Sequence, residues 1–165
     1  NLIFTQIKKK RIYSGQIFVN EKPHFINTIL GSCVSVCIFD KEKKYGGMNH
    51  YVLPEYSGDG FPLLKYGKNA IEKLIAIMLA KGSNISNLKA KIIGGAGLFG
   101  DNHLLGVGGL NIEIARNTLN KFKIKIEEMN IGGNMGREVV FDNFTGSTNV
   151  KFLEPMISEF EFSTN

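Results

Sequence analysis

The side chains of this sequence best suited to covalent chemistry are Cys33 and His50. A free cysteine has a pKa of ~8.5 and is mostly protonated at neutral pH, so it needs a neighbouring base to become a nucleophile. Cys33 follows Gly31 and Ser32 at the start of a segment that reads as a strand, and His50 lies near the end of the segment that reads as its hairpin partner. In a hairpin the start of one strand faces the end of the next, which would bring thiol and ring together. Gly31 would permit a tight turn that exposes the thiol and leaves backbone N–H groups free to face a reacting carbonyl, as an oxyanion hole requires. The expected activation is a thiolate–imidazolium pair.

Competing readings of these residues are weaker. A cysteine in an apolar strand is often just a small buried hydrophobe, and Cys37 fits that description. A disulfide between the two is excluded if the segment is extended, since four residues at ~3.3 Å each separate the Cα atoms by ~13 Å. Zinc is disfavoured because the spacer Val34-Ser35-Val36 is extended rather than a knuckle, and His24 and His103 form no helical pair. Gly94-Gly95-Ala96-Gly97 lacks both the Gly-Lys-Ser/Thr ending of a phosphate loop and a dinucleotide fingerprint. A loop that shapes a narrow cleft is the better reading.

The elements that must hold this pair are legible from patterning. Residues 13–19, 24–30, 33–39 and 45–53 read as strands, with a polar turn at 40–44 and a bulge or close packing at Gly46-Gly47. Residues 54–62 form a loop. Residues 66–81 read as an amphipathic helix, with Ala70, Leu74 and Met78 in one row and Ile71, Ile75 and Leu79 beside it. A strand at 89–93 and a helix at 109–122 follow, the helix presenting Ile112, Ala115, Leu119 and Phe122. Strands at 123–129, 137–144 and 148–153 complete the order, the last two joined by a turn at 145–147. The tail 155–165 has no clear period. One domain of residues 1–165, with its core at about 12–154, is expected from 165 residues and the absence of a long linker.

Composition narrows the function classes. Hydrophobic residues make up 43% and charged residues 21%, so a folded globular chain rather than a disordered one is expected. No apolar run reaches the ~20 residues of a membrane helix, and the start has no signal-type segment, so a cytoplasmic location without membrane insertion is expected. The net charge of +5 comes from lysines spread along the chain, without the aromatic-lined basic groove of a nucleic-acid binder. Glycine is enriched, 19 of 165, and clusters beside strand ends, where backbone must turn or approach closely.

These motifs carry a resemblance. Residues 28–37 (Thr-Ile-Leu-Gly-Ser-Cys-Val-Ser-Val-Cys) and 46–54 (Gly-Gly-Met-Asn-His-Tyr-Val-Leu-Pro) resemble the signature of the CheD family of chemoreceptor glutamine deamidases. The likeness continues through Tyr66-Gly67, residues 90–96, Asn111-Ile112 and residues 132–137, so it spans about 12–150. It implies hydrolysis of selected glutamine side chains of methyl-accepting chemotaxis receptors to glutamate, with Cys33 as nucleophile and His50 as general base. A threonine orients the imidazole in the family. Thr28 matches it, although some members place that threonine at the position of Asn27. Ser32, Gly31 and Asn49 are expected to line the oxyanion and substrate cleft. Leu110 departs from the arginine many members carry there. The resemblance further implies an α+β fold, four layers α/β/β/α with mixed β-sheets packed as a sandwich and helices outside. It implies no metal or organic cofactor, and a CheC-type or CheX-type phosphatase as a further partner. Two rival functions share these partners: a non-catalytic chemotaxis adaptor, and a receptor methylesterase using the same thioester route.

Overall fold

The computed structural model describes residues 6–97 and 106–154. Strands β1 (Lys8–Arg11), β2 (Ile17–Asn20), β3 (His24–Leu30), β4 (Val34–Asp40) and β5 (Tyr45–Asn49) come first, followed by a short 3-10 turn at Leu63–Lys65 and helix α1 (Gly67–Ala80). Strand β6 (Leu88–Gly94), helix α2 (Val107–Lys121) and strands β7 (Lys125–Ile131), β8 (Arg137–Asp142) and β9 (Thr148–Phe152) complete the described chain. Two mixed sheets form: β1-β3-β8-β9 and β2-β5-β4-β6-β7. The expectation of an α+β sandwich of mixed sheets is met.

Alternation along β4 builds two cores at once. Val34, Val36 and Ile38 face Ala70, Ile71, Leu74, Ile75 and Met78 of α1 and Ile112, Ala115 and Leu119 of α2. Cys37 faces the other way, with Met48 and Ile93, against Ile26 and Leu30 of β3 and Val139 and Phe141 of β8. Both helices thus cover one side of the five-stranded sheet, and the four-stranded sheet covers its other side. Among the described residues the layers are therefore α/β/β. The fourth, helical layer implied by the resemblance is not formed there, because both amphipathic helices find their apolar partners on the same sheet face.

Several boundaries differ from the expectations for physical reasons. The basic stretch at the start is an edge strand, paired in parallel with β3, and all four of its residues are exposed, so it carries no alternation to read. Residues 13–16 form a turn rather than strand, with Gly15 at φ 80°. Leu79 is partly exposed and lies off the buried stripe of α1. Gly46-Gly47 marks close packing: a Cβ on Gly47 would lie 2.5 Å from the Val19 side chain and 2.6 Å from the Phe18 carbonyl. The expectations for His103 and for the tail 155–165 lie outside the described residues.

Candidate active site

The site lies where β4 begins and β5 ends. The ladder keeps one register from Cys37 opposite Met48 to an isolated bridge between Val34 and Tyr51. Carried across that bridge, the register makes Cys33 and His50 diagonal neighbours on the same sheet face. Such positions lie about 7–8 Å apart across a sheet, within reach of an aromatic side chain. That face looks toward β3, whose inward residues are His24, Ile26, Thr28 and Leu30. The His50 backbone leaves the β4 ladder: its N–H donates to the Gln16 carbonyl (3.1 Å), and the Gly15 N–H donates to the His50 carbonyl (2.8 Å). The 13–16 turn thus holds the His50 backbone on the side away from β4.

Thr28 decides the tautomer of the ring. Its hydroxyl donates to the Ile12 carbonyl at 2.8 Å, and the same oxygen lies 2.7 Å from His50 Nδ1. A hydroxyl has one hydrogen, and a carbonyl can only accept. With that hydrogen spent on Ile12, His50 Nδ1–H donates to Thr28 Oγ1. A neutral imidazole protonated at Nδ1 has its lone pair at Nε2, the state a general base needs. Thr28 is buried and inward-facing, whereas Asn27 lies on the opposite face with its amide oxygen 3.5 Å from Arg11. Of the two candidate positions for the orienting residue, only Thr28 meets the imidazole.

Burial sets the charge state. It pushes the Cys33 thiol above its ordinary value, against a smaller lowering from its own backbone N–H and from the charge of Lys65. It lowers His50 to about 4. Each shift favours the neutral form of its group, because neither charged form is well solvated there. Both shifts run against the expected resting thiolate–imidazolium pair. Cys37 is deeper, pushed up to about 12 by burial, and is an inert core thiol. Both cysteines are free.

The glycine role also moves. The left-handed backbone lies not at Gly31 but across the ladder, at Gly94 (φ 113°) and Gly95 (φ 72°). Gly95 N–H donates to the Cys33 carbonyl at 2.9 Å, while the Gly95 carbonyl turns toward Gly108 of α2. A regular ladder would return a bond from Cys33 N–H to that carbonyl. Among the described residues, Cys33 N–H donates to no backbone carbonyl. Gly31 anchors the loop, its carbonyl accepting from Ala96 N–H at 3.0 Å, and the Ser32 carbonyl accepts from the Asn111 amide at 3.0 Å.

Asn49 does not line a cleft. It is fully buried, and its amide oxygen accepts from the Val36 N–H at 2.8 Å, on the face opposite His50, because consecutive strand residues alternate. Asn111 was legible only as part of a motif, yet it reaches both halves of the site. Its signal in the sequence is a polar amide on the buried stripe of α2, between Gly108 and Ala115, where it requires partners. No group of three or more His, Cys, Asp or Glu side chains arranged to hold a metal occurs among the described residues.

Fold and site together define a class: an α/β/β sandwich in which a buried imidazole is bonded to a threonine hydroxyl between the sheets and shares a sheet face with a part-exposed thiol. The profile of one family, described as CheD chemotactic sensory transduction, matches residues 52–152. The chain belongs to the CheD family. It is 40% identical over 151 residues to a probable chemoreceptor glutamine deamidase CheD of Sulfurimonas denitrificans, covering 90% of this chain and 97% of that protein. A protein of the same description from Trichlorobacter lovleyi is 37% identical over 141 residues, 85% of this chain and 88% of the relative. One from Methanococcus maripaludis is 34% identical over 144 residues, with 86% and 93% covered.

Proposed function

We propose that this chain is a cysteine-dependent protein-glutamine amidohydrolase that converts glutamine side chains of methyl-accepting chemotaxis receptors to glutamate in the cytoplasm. The names of its relatives, probable chemoreceptor glutamine deamidases, support this substrate. The observation that carries the chemistry is the Ile12–Thr28–His50 chain of hydrogen bonds, which leaves Nε2 of His50 as the basic nitrogen on the face that bears Cys33.

In this reading His50 Nε2 takes the Cys33 proton as Sγ attacks the carbon of the side-chain amide. The oxyanion that forms is met by the Cys33 N–H, which donates to no backbone carbonyl among the described residues. The imidazolium, steadied by Thr28 at Nδ1, then gives its proton to the departing nitrogen. Ammonia leaves and a Cys33 thioester remains. His50 next takes a proton from water, the hydroxide attacks the thioester carbon, and collapse returns the thiol with a glutamate carboxyl. One amide and one water become one acid and one ammonia, and the enzyme is unchanged.

The test presents a purified receptor cytoplasmic fragment in two forms, one with glutamine and one with glutamyl methyl ester at the modified positions. Ammonia release from the first, with the small mass increase of amide-to-acid conversion in the receptor peptide, is the expected result. Cleavage confined to the methyl ester would replace this reading with an esterase. No turnover of either form would replace it with an adaptor.

A further inference from the structure

We propose that Asn111 is a positioning residue for the reaction: by holding the Ser32 carbonyl it aims the Cys33 N–H at the oxyanion. The inference rests on the reading of Cys33 as nucleophile and adds to it a device that a distant helix supplies. Past the Val34–Tyr51 bridge, strands β4 and β5 part. Into that gap α2 inserts the Asn111 amide, which donates to the Ser32 carbonyl at 3.0 Å and to the Val52 carbonyl at 2.8 Å. One carbonyl directly precedes Cys33 in sequence, and the other lies two residues beyond His50. Asn111 thus bridges the two segments that carry the thiol and the base.

The amide has only one workable orientation. Reversed, its oxygen would face two carbonyl oxygens, so Nδ2 with its two hydrogens must point at them. That leaves Oδ1 buried without a partner among the described residues, a costly state that the rest of the fold tolerates. The helix carrying it is itself tied to the site, since Tyr51, the residue after His50, donates from its hydroxyl to the Asn111 carbonyl at 2.6 Å.

Fixing the Ser32 carbonyl fixes the next N–H. In a planar trans peptide the C=O of one residue and the N–H of the following one point in opposite directions. Ser32 C=O is held toward α2 and the β5 side, so Cys33 N–H is held toward the β6 side, where Gly95 has turned its own carbonyl away. That N–H lies close enough to its own sulfur to favour the thiolate. A donor beside Sγ with no backbone acceptor among the described residues is placed to meet an oxygen on the carbon that Sγ attacks.

Two small reagents separate this role from general support of the fold. Acylation of Cys33 by p-nitrophenyl acetate passes through a tetrahedral oxyanion. Alkylation by iodoacetamide displaces iodide at a saturated carbon and forms none. In Asn111→Ala the acylation rate should fall about 30-fold or more, a large part of the ~10²–10³ that one oxyanion donor is worth, while alkylation stays within about threefold of wild type. Asn111→Ser, whose hydroxyl can donate to one carbonyl, should recover part of the acylation rate and keeps the test alive if the alanine variant does not fold. Acylation unchanged in both variants, or acylation and alkylation falling together in the folded variant, would overturn the role. A Cys33→Ala control acylated as fast as wild type would instead overturn the nucleophile assignment beneath it.

Discussion

At the residue scale the decisive group is the Thr28 hydroxyl, because it spends its one hydrogen on Ile12 and leaves an acceptor for His50 Nδ1. Thr28→Val keeps the shape but removes both bonds. The ring then loses its fixed tautomer, and turnover should fall about 10- to 100-fold, part of the ~10²–10⁴ that a positioned general base contributes. Thr28→Ser should restore most of it. Nitrogen NMR shifts of His50, showing Nδ1 protonated in wild type and a tautomer mixture in the valine variant, would check the cause. The second consequence concerns pH. In the proposed reaction His50 acts as a base only when neutral, and burial holds its pKa at about 4. kcat/KM should therefore remain level as pH falls through 6.5 and drop only near 4. A fall centred near 6.5 would contradict the buried neutral imidazole. Stability follows with the same sign. The folded pKa lies below the unfolded value near 6.5, so the folded state binds fewer protons between the two. Stability is full above pH 6.5 and declines toward pH 4, by on the order of 3 kcal/mol once both states are protonated. Urea midpoints of wild type and His50→Gln at pH 7 and pH 4 should show this share of the acid sensitivity disappearing with the ring.

At the scale of elements, the site depends on how α2 meets the end of β6. Gly108 lies against Gly95 and Ala96, and a Cβ there would come within 2.5 Å of the Gly95 carbonyl oxygen and 2.6 Å of that of Ala96. Gly108→Ala should push the helix off the segment whose N–H holds the Cys33 carbonyl. Turnover of the folded protein should then fall, by up to about 10²-fold for a displacement near an ångström. Leu74→Ala, in the middle of α1, should cost about 2–5 kcal/mol of stability yet leave kcat unchanged where the protein stays folded. Urea midpoints and kcat measured on both variants separate positioning from packing. This contrast also explains what could be read in advance. Strand β3 was legible to the residue because its inward and outward positions alternate. The hairpin that places Cys33 and His50 on one sheet face could be read from the strand pattern, whereas Thr28 came from the family resemblance, and its bond to His50 crosses between the two sheets. Asn111 sits 79 residues from Ser32, and a helix's contact with a loop that far away leaves only a polar residue on an apolar stripe as a trace. Strand β1 left no trace, since an edge strand of exposed lysines and an arginine is what protects a sheet edge from foreign pairing. Asn49 was misplaced because a strand residue next to His50 in sequence must face away from it.

At the scale of the whole molecule, we propose that the described residues fold as one unit. The core between the sheets takes Cys37, Met48 and Ile93 from one sheet and Ile26, Leu30, Val139 and Phe141 from the other. Thr28 and His50 belong to that same interface, so separating the sheets would also break the bond between hydroxyl and imidazole. Calorimetry should show a single transition, with loss of activity at the same temperature; two separate transitions would contradict a shared core. Among the described residues no helix is long and apolar enough to cross a membrane. The proposed reaction turns on the sulfur of Cys33, and the most direct measurement is ammonia release from a chemoreceptor cytoplasmic fragment by wild type and by Cys33→Ala. The expected result is a variant that unfolds like wild type and releases ammonia no faster than the fragment alone. A folded Cys33→Ala protein that still converts receptor glutamine to glutamate at a comparable rate would contradict it.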